Sequence, residues 1–127
     1  MVRHISTDAG YDSEFPFSQG VVHDDTVYTA GQIPKDPETG AIVGETIEAQ
    51  TQQTFENLEA VLEAAGTGLE NVVKATAYLT DIDDIDRFNR VYRDRMPEPH
   101  PGRTTVEVAA LAIDIRVEIE MVAAIDG

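Results

Sequence analysis

The sequence predicts a single α+β domain over residues 1–127, with one sheet of five or six strands and two helices on one face. Three observations lead to this prediction. Residues 45–65 and 84–96 place apolar side chains at the three- and four-residue steps of a helix. Residues 111–121 alternate strictly between apolar and polar, the period of a half-buried strand. Shorter β-type runs complete the order β-β-α-β-α-β-β, with room for an extra N-terminal strand.

A hairpin opens the predicted sheet. Two short β-type runs, 21–22 and 27–29, flank the turn-rich tetrad 23–26 (HDDT). The following segment, 31–40 (GQIPKDPETG), contains two prolines and two glycines and is therefore predicted to be a loop.

The first helix is predicted over residues 45–65. Glu45 and Glu48 lie near its start, where carboxylates interact favourably with the helix dipole. Gly66 follows as a C-terminal cap. The apolar stripe of this helix consists of Phe55, Leu58, Val61, Leu62 and Ala65.

A strand at 71–79 (NVVKATAYL) precedes the second predicted helix, 84–96. Asp81 or Asp83 can cap the start of this helix, and Pro97 ends it. Its stripe consists of Ile85, Phe88 and Tyr92.

The C-terminal part of the chain has the most regular pattern. Val106 and Val108 alternate with polar residues, and the run 111–121 then alternates with Asp114, Arg116, Glu118 and Glu120 on its polar side. Glu118 and Glu120 therefore share one sheet face, roughly 7 Å apart. If these two strands pair as neighbours, Arg103 faces an even-numbered residue and lies beside Glu118 or Glu120.

Two helices cover only one face of a sheet this wide. The other face carries carboxylates together with small and apolar residues, whereas an open face in water is normally polar. We therefore expect this face to meet other subunits, and composition does not give their number.

The composition is strongly acidic. There are 24 Asp and Glu against 9 Lys and Arg, a formal net charge of -15, and only two of the cations are lysines, Lys35 and Lys74. An acidic surface adapted to very high salt, where self-repulsion is screened, competes with an ordinary acidic bias, and the scarcity of lysine favours the former. Contact with nucleic acid is disfavoured, because it depends on clustered Lys and Arg. No apolar run suits a signal peptide or a membrane span, so a cytoplasmic protein is expected.

Several kinds of site find no support in the sequence. The three histidines are far apart and there is no cysteine, which argues against a zinc site. Phosphate-loop and serine-elbow motifs are absent. Arg103 follows Pro-Gly at the start of a strand and could bind a carboxylate through two hydrogen bonds, or be a surface arginine. Glu118 and Glu120 could act as acid and base, or be solvated carboxylates.

Five segments resemble the reactive intermediate deaminase (RidA/YjgF-like) family in order and spacing over about residues 5–125: FPFSQGVVHDDTVYTAGQIP, EAAG, VKATAYLTDIDDIDRFNRVY, PGRTTVEVAAL and VEIEMVA. The resemblance implies a chorismate-mutase-like fold and a homotrimer with clefts between subunits. It also implies hydrolysis of 2-imino acids, such as 2-iminobutanoate and 2-iminopropanoate, to 2-keto acids and ammonia, without cofactor or metal. A non-catalytic trimer that binds a small carboxylate on the same scaffold is the alternative.

The resemblance also assigns roles to residues. Arg103 matches the arginine that holds the substrate carboxylate, and Glu118 matches the glutamate that positions the attacking water. Gly31 matches a glycine whose backbone lines the pocket, and Asn89 matches a pocket asparagine. Burial would raise the pKa of Glu118 and a nearby arginine would lower it, and the sequence leaves the sign open.

Three positions depart from the family pattern. Thr105 stands where many members have Cys, whose backbone carbonyl helps to orient water, and threonine keeps that carbonyl. Phe17 replaces Tyr, which removes one hydroxyl from the substrate-binding pocket. Ala30 replaces Ser. These departures leave the carboxylate clamp and the acid/base group in place and bear on the preference for substrate side chains.

Overall fold

A computed structural model of the chain describes residues 2–125. Within this part the strands are β1 (Val2–Ile5), β2 (Gly20–His23), β3 (Thr26–Thr29), β4 (Val72–Leu79), β5 (Gly102–Glu107) and β6 (Val117–Ala124). The helices are α1 (Ile47–Ala65) and α2 (Ile85–Arg95). The six strands form one sheet in the order β1-β2-β3-β6-β4-β5. The predicted α+β class is confirmed, and β1 is the extra N-terminal strand.

Local signals set the helix ends. The Thr46 hydroxyl accepts a hydrogen bond from the Ala49 N–H at 3.1 Å, so α1 begins two residues later than predicted. Gly66 ends it in the left-handed conformation, with φ of 94°. Asp81 caps a short 3-10 turn, 82–84, that leads into α2, where the Asp81 carboxylate accepts from the Asp83 N–H at 2.9 Å.

The core lies between the helices and one face of the sheet. On β6 the odd-numbered residues Val117, Ile119 and Met121 are buried, and they pair with the buried residues of β4. Glu118 and Glu120 point to the other face, as the alternation predicted. That other face also carries exposed apolar side chains, among them those of Tyr28 and Val106.

Two predictions about the C-terminal part were wrong. The strand predicted from residue 111 begins only at Val117, and residues 111–116 form an irregular segment. β5 does not pair with β6, because β4 lies between them and pairs with β5 in parallel. Arg103 is opposite Ala75, which faces the helices, whereas Glu118 is opposite Tyr78 on the other face. Arg103 and Glu118 of one chain therefore do not lie side by side.

No helix in residues 2–125 is long and apolar enough to cross a membrane.

Candidate functional site

Glu118 lies against Gly31 at the edge of a gap in the sheet. The backbone of Gln32 exchanges two hydrogen bonds with that of Ile119, at 2.7 and 3.1 Å, which sets the loop after β3 beside β6. This bridge brings Gly31 so close that a Cβ built there would be 1.9 Å from Glu118 Oε2. The carboxylate thus occupies the space that any other residue at 31 would fill.

The surroundings of Glu118 favour its protonated form. Burial raises the pKa of this carboxyl above its ordinary value of 4.5, and the negative charge of Glu120 raises it further. Glu120 is exposed and accepts a hydrogen bond from the Tyr78 hydroxyl at 2.9 Å. This hydrogen bond, together with burial and the charges of both glutamates, raises the pKa of Tyr78. Glu118 is therefore a carboxyl whose proton affinity has been moved toward neutrality, as an acid/base group requires.

A cavity of about 140 Å³ opens beside Glu118. Its walls are mostly apolar, and the exposed aromatic ring of Phe17 contributes to its rim. Lys35 and Tyr11 bring polar groups into the same cavity. The remaining lining residues are Ser13, Phe15, Gln19, Gly31, Gln32, Ile33, Ala112, Ile113 and Ile115.

Asn57 on α1 holds two walls of this cavity in place. Its side-chain oxygen accepts from the Tyr11 N–H at 3.3 Å, and its amide donates to the backbone carbonyls of Ile33 and Lys35, both at 2.9 Å. A third contact at 3.3 Å comes from the side-chain amide of Gln53. Asn57 is 1% exposed, so its amide is committed to structure. The sequence analysis missed it, although a polar residue beside the apolar stripe of a helix was the available signal.

Arg103 lies in a separate cleft between α2 and the edge of the sheet. Its guanidinium carbon is 4.6 Å from the centre of the Tyr92 ring and 5.5 Å from that of Phe88, which places the cation over two aromatic faces. The cleft is lined by Asn89, Tyr92, Arg93, His100, Pro101 and Arg103.

Polar atoms in and beside this cleft lack partners. In residues 2–125, Arg103 forms no ion pair, and Asn89 Oδ1, Tyr92 OH and Thr105 Oγ1 are buried without hydrogen bonds. Buried polar atoms are nearly always satisfied in folded proteins, so such a group around a free guanidinium suits an absent ligand or a partner chain. Burial raises the pKa of the Tyr92 hydroxyl and the Arg103 charge opposes it, so Tyr92 stays a neutral donor and acceptor.

The residues expected at the site fall into two groups. Phe17, Gly31 and Glu118 line the cavity on one side, whereas Asn89 and Arg103 line the cleft on the other. Thr105 is two residues beyond Arg103 on the same face of β5 and belongs to the cleft group. We call the first group the acidic half-site and the second the cationic half-site. Within residues 2–125, no three His, Cys, Asp or Glu side chains gather in a way that could hold a metal ion.

The fold and the two half-sites define an α+β protein of one sheet that carries an acid/base cavity on one face and an anion-binding cleft on the other. A family profile described as endoribonuclease L-PSP matches residues 8–125. A RutC family protein of Saccharolobus solfataricus is 49% identical over 108 residues, which cover 85% of this chain and 86% of that protein.

Two further relatives are similar over nearly their whole lengths. A 2-iminobutanoate/2-iminopropanoate deaminase of Salmonella typhimurium is 40% identical over 126 residues, 97% of this chain and 98% of that protein. The crystal structure of RidA from the Antarctic bacterium Psychrobacter has a TM-score of 0.93 at 41% identity and covers 96% of this chain and 98% of its own. The chain belongs to the RidA/YjgF-like family.

Proposed function

We propose that the protein hydrolyses 2-imino acids to 2-keto acids and ammonia. The observation that supports this most is Glu118, a half-buried carboxyl with a raised pKa that rests on Gly31 in an apolar cavity. Arg103 would bind the substrate carboxylate through paired hydrogen bonds, with Asn89 and Thr105 beside it. The relative named as an imine deaminase supports the same reaction class.

The complete site would be formed between copies of the chain. The two half-sites lie on opposite faces of one sheet, so a single copy does not bring them together. A cyclic homotrimer, with the open sheet faces turned inward, would place the cationic half-site of one subunit against the acidic half-site of the next. This arrangement would also cover the apolar side chains of the open face, such as Val106.

The reaction would proceed by addition of water to the C=N carbon. Glu118, ionised, takes a proton from water as the oxygen bonds to that carbon, which yields a neutral carbinolamine. Glu118 returns the proton to nitrogen, the C–N bond breaks as the C=O bond forms, and ammonia leaves. The hydroxyl proton is released through the same carboxylate and protonates the ammonia. Arg103 holds the carboxylate so that the carbon stays within reach of water.

Turnover can be tested with 2-iminobutanoate, generated by threonine dehydratase and followed by its loss. We expect the wild-type chain to accelerate that loss, and Arg103→Ala and Glu118→Gln each to abolish the acceleration. If the wild type binds 2-oxobutanoate in calorimetry but does not accelerate the loss of the imine, the chain is a binding protein on this scaffold and hydrolysis is refuted.

A mixed assembly tests the shared site. Arg103→Ala and Glu118→Gln chains with different tags are co-expressed and the hybrids are purified on both tags. A site that takes Arg103 from one subunit and Glu118 from the next regains function in about a quarter of the random combinations. A site contained in one chain regains none. Co-expression of wild type with the double variant is the control, because a shared site leaves about a quarter active and a site in one chain leaves about half.

A further inference from the structure

One of the two lysines of this acidic chain lies at the proposed active site. Lys35 lines the same cavity as Glu118, and its side chain runs along the Tyr11 ring, with Nζ 5.0 Å from the ring centre. Nζ donates a hydrogen bond to the Tyr11 hydroxyl at 3.4 Å. A second cation is therefore present in the cavity, in addition to the Arg103 that a neighbouring subunit would supply.

The charge of Lys35 is not used by the fold. In the part of the chain from residue 2 to 125 it forms no ion pair, although the chain is rich in carboxylates. Glu118 lines the same cavity and does not pair with it, so the two groups stand at different parts of the cavity wall. The backbone at 35 is held separately by Asn57, so changing the side chain leaves that support in place.

Since the hydrolysis proposed above assigns the first carboxylate of the substrate to Arg103, Lys35 is available for a second anionic group. We propose that Lys35, with the hydroxyl of Tyr11, binds a carboxylate on the substrate side chain, and that the preferred substrates are dicarboxylic 2-imino acids. The inference rests on the proposed function and goes beyond it, since it names the substrate class.

The dimensions of the cavity agree with a short side chain. A volume of about 140 Å³ is close to that of a cavity that holds one benzene ring. The apolar walls accommodate methylene groups, and the cation with its neighbouring hydroxyl provides donors at the end. Without Lys35 a dianionic substrate would meet only repulsion from a chain of net charge -15, so a local cation decides whether such a substrate binds.

The test compares two imines of equal size. 2-Iminosuccinate and 2-imino-4-methylpentanoate have the same number of non-hydrogen atoms, and aspartate and leucine oxidases generate them. We expect the wild type to show the higher kcat/KM for 2-iminosuccinate. Lys35→Met, which keeps the volume, should lower that value by about tenfold to a hundredfold and leave the leucine-derived imine unaffected. Lys35→Arg should restore most of the preference.

The control removes the same charge elsewhere. Arg90 is exposed on α2, and Arg90→Met should leave the ratio of the two imines unchanged at fixed ionic strength. A wild type that prefers the leucine-derived imine, or a Lys35→Met variant that keeps the wild-type ratio, overturns the proposal while hydrolysis itself stands. If neither imine is hydrolysed, hydrolysis fails, and calorimetry with oxaloacetate decides about Lys35. Binding that Lys35→Met weakens and Arg90→Met does not supports the carboxylate site, and binding indifferent to both variants overturns it.

Discussion

The contact between Gly31 and Glu118 gives a sharp prediction for Gly31→Ala. The new Cβ would be 1.9 Å from Oε2 and 2.8 Å from Cδ of Glu118, whereas real Cβ atoms keep at least 3.0 Å from their neighbours. The end of a side chain moves more easily than two paired backbone segments do, so the carboxylate should retreat by about 1 Å. A shift of that size at a reacting group costs about a hundredfold in rate.

The stability of the fold should be preserved in this variant. The φ angle of Gly31 lies outside the left-handed region, so alanine adopts the same backbone without strain. Replacing glycine at such a position stabilises by about 0.4–1 kcal/mol through the unfolded state, which offsets the small cost of moving the carboxylate. The thermal midpoint should therefore remain at or slightly above that of the wild type while kcat falls.

The assay is the loss of 2-iminobutanoate in a double-mutant cycle with Glu118→Gln. If alanine at 31 acts by displacing the carboxylate, it has no further effect once that carboxylate is gone. Gly102→Ala is the matched control, because its Cβ would make only ordinary contacts, at 3.7 Å to the Val73 carbonyl oxygen and 3.9 Å to Lys74 Cδ. Full activity in Gly31→Ala would refute the reasoning, as would equal losses with and without Glu118.

Three other changes have defined outcomes. Asn57→Ala leaves three backbone groups without their partner, so the free energy of unfolding in urea should fall by about 3 kcal/mol, and a loss below about 1 kcal/mol would contradict the assigned role. Glu120→Gln removes a charge that raises the pKa of Glu118. Because attack by water needs Glu118 ionised, the acid limb of kcat/KM should move to lower pH, and more at low salt than at high salt, whereas an unmoved limb argues against the coupling. Raising KCl from about 0.1 M to about 2 M should raise the thermal midpoint by screening the charge of -15, and an unchanged midpoint would favour an ordinary acidic bias.

The elements that local pattern could predict were those whose period directly reflects burial. The stripe of α1 and the alternation of β6 both face the core, and Thr46 and Gly66 end α1 through interactions within a few residues. The segment 111–116 misled because its alternation has another cause. Ile113 and Ile115 are turned toward the cavity beside Glu118, and Arg116 is held by Asp84 at 3.2 Å. The apolar residues are thus buried around a cavity instead of on a sheet.

Strand order could have been predicted better than it was. β4, α2 and β5 form a strand-helix-strand unit, and such units place their strands in parallel, commonly as neighbours. That rule would have separated β5 from β6 and put Arg103 on the helix side. The cost of the wrong pairing was the expectation that Arg103 and Glu118 meet within one chain. Their residue types pointed to carboxylate binding and acid/base chemistry in either topology.

The description of the family profile as an endoribonuclease raises the question of whether RNA is a substrate here. Binding to a phosphate backbone depends on several cations that act together, and its strength grows with the number of phosphates they neutralise. The cationic half-site supplies Arg103 and Arg93 with His100, and the field around it comes from a chain of net charge -15. Arg103 is also stacked over Tyr92, in a cleft that suits one small anion better than a polymer. The charge distribution therefore favours a small carboxylate, drawn to isolated cations in clefts, over a nucleic acid that would need a continuous basic surface.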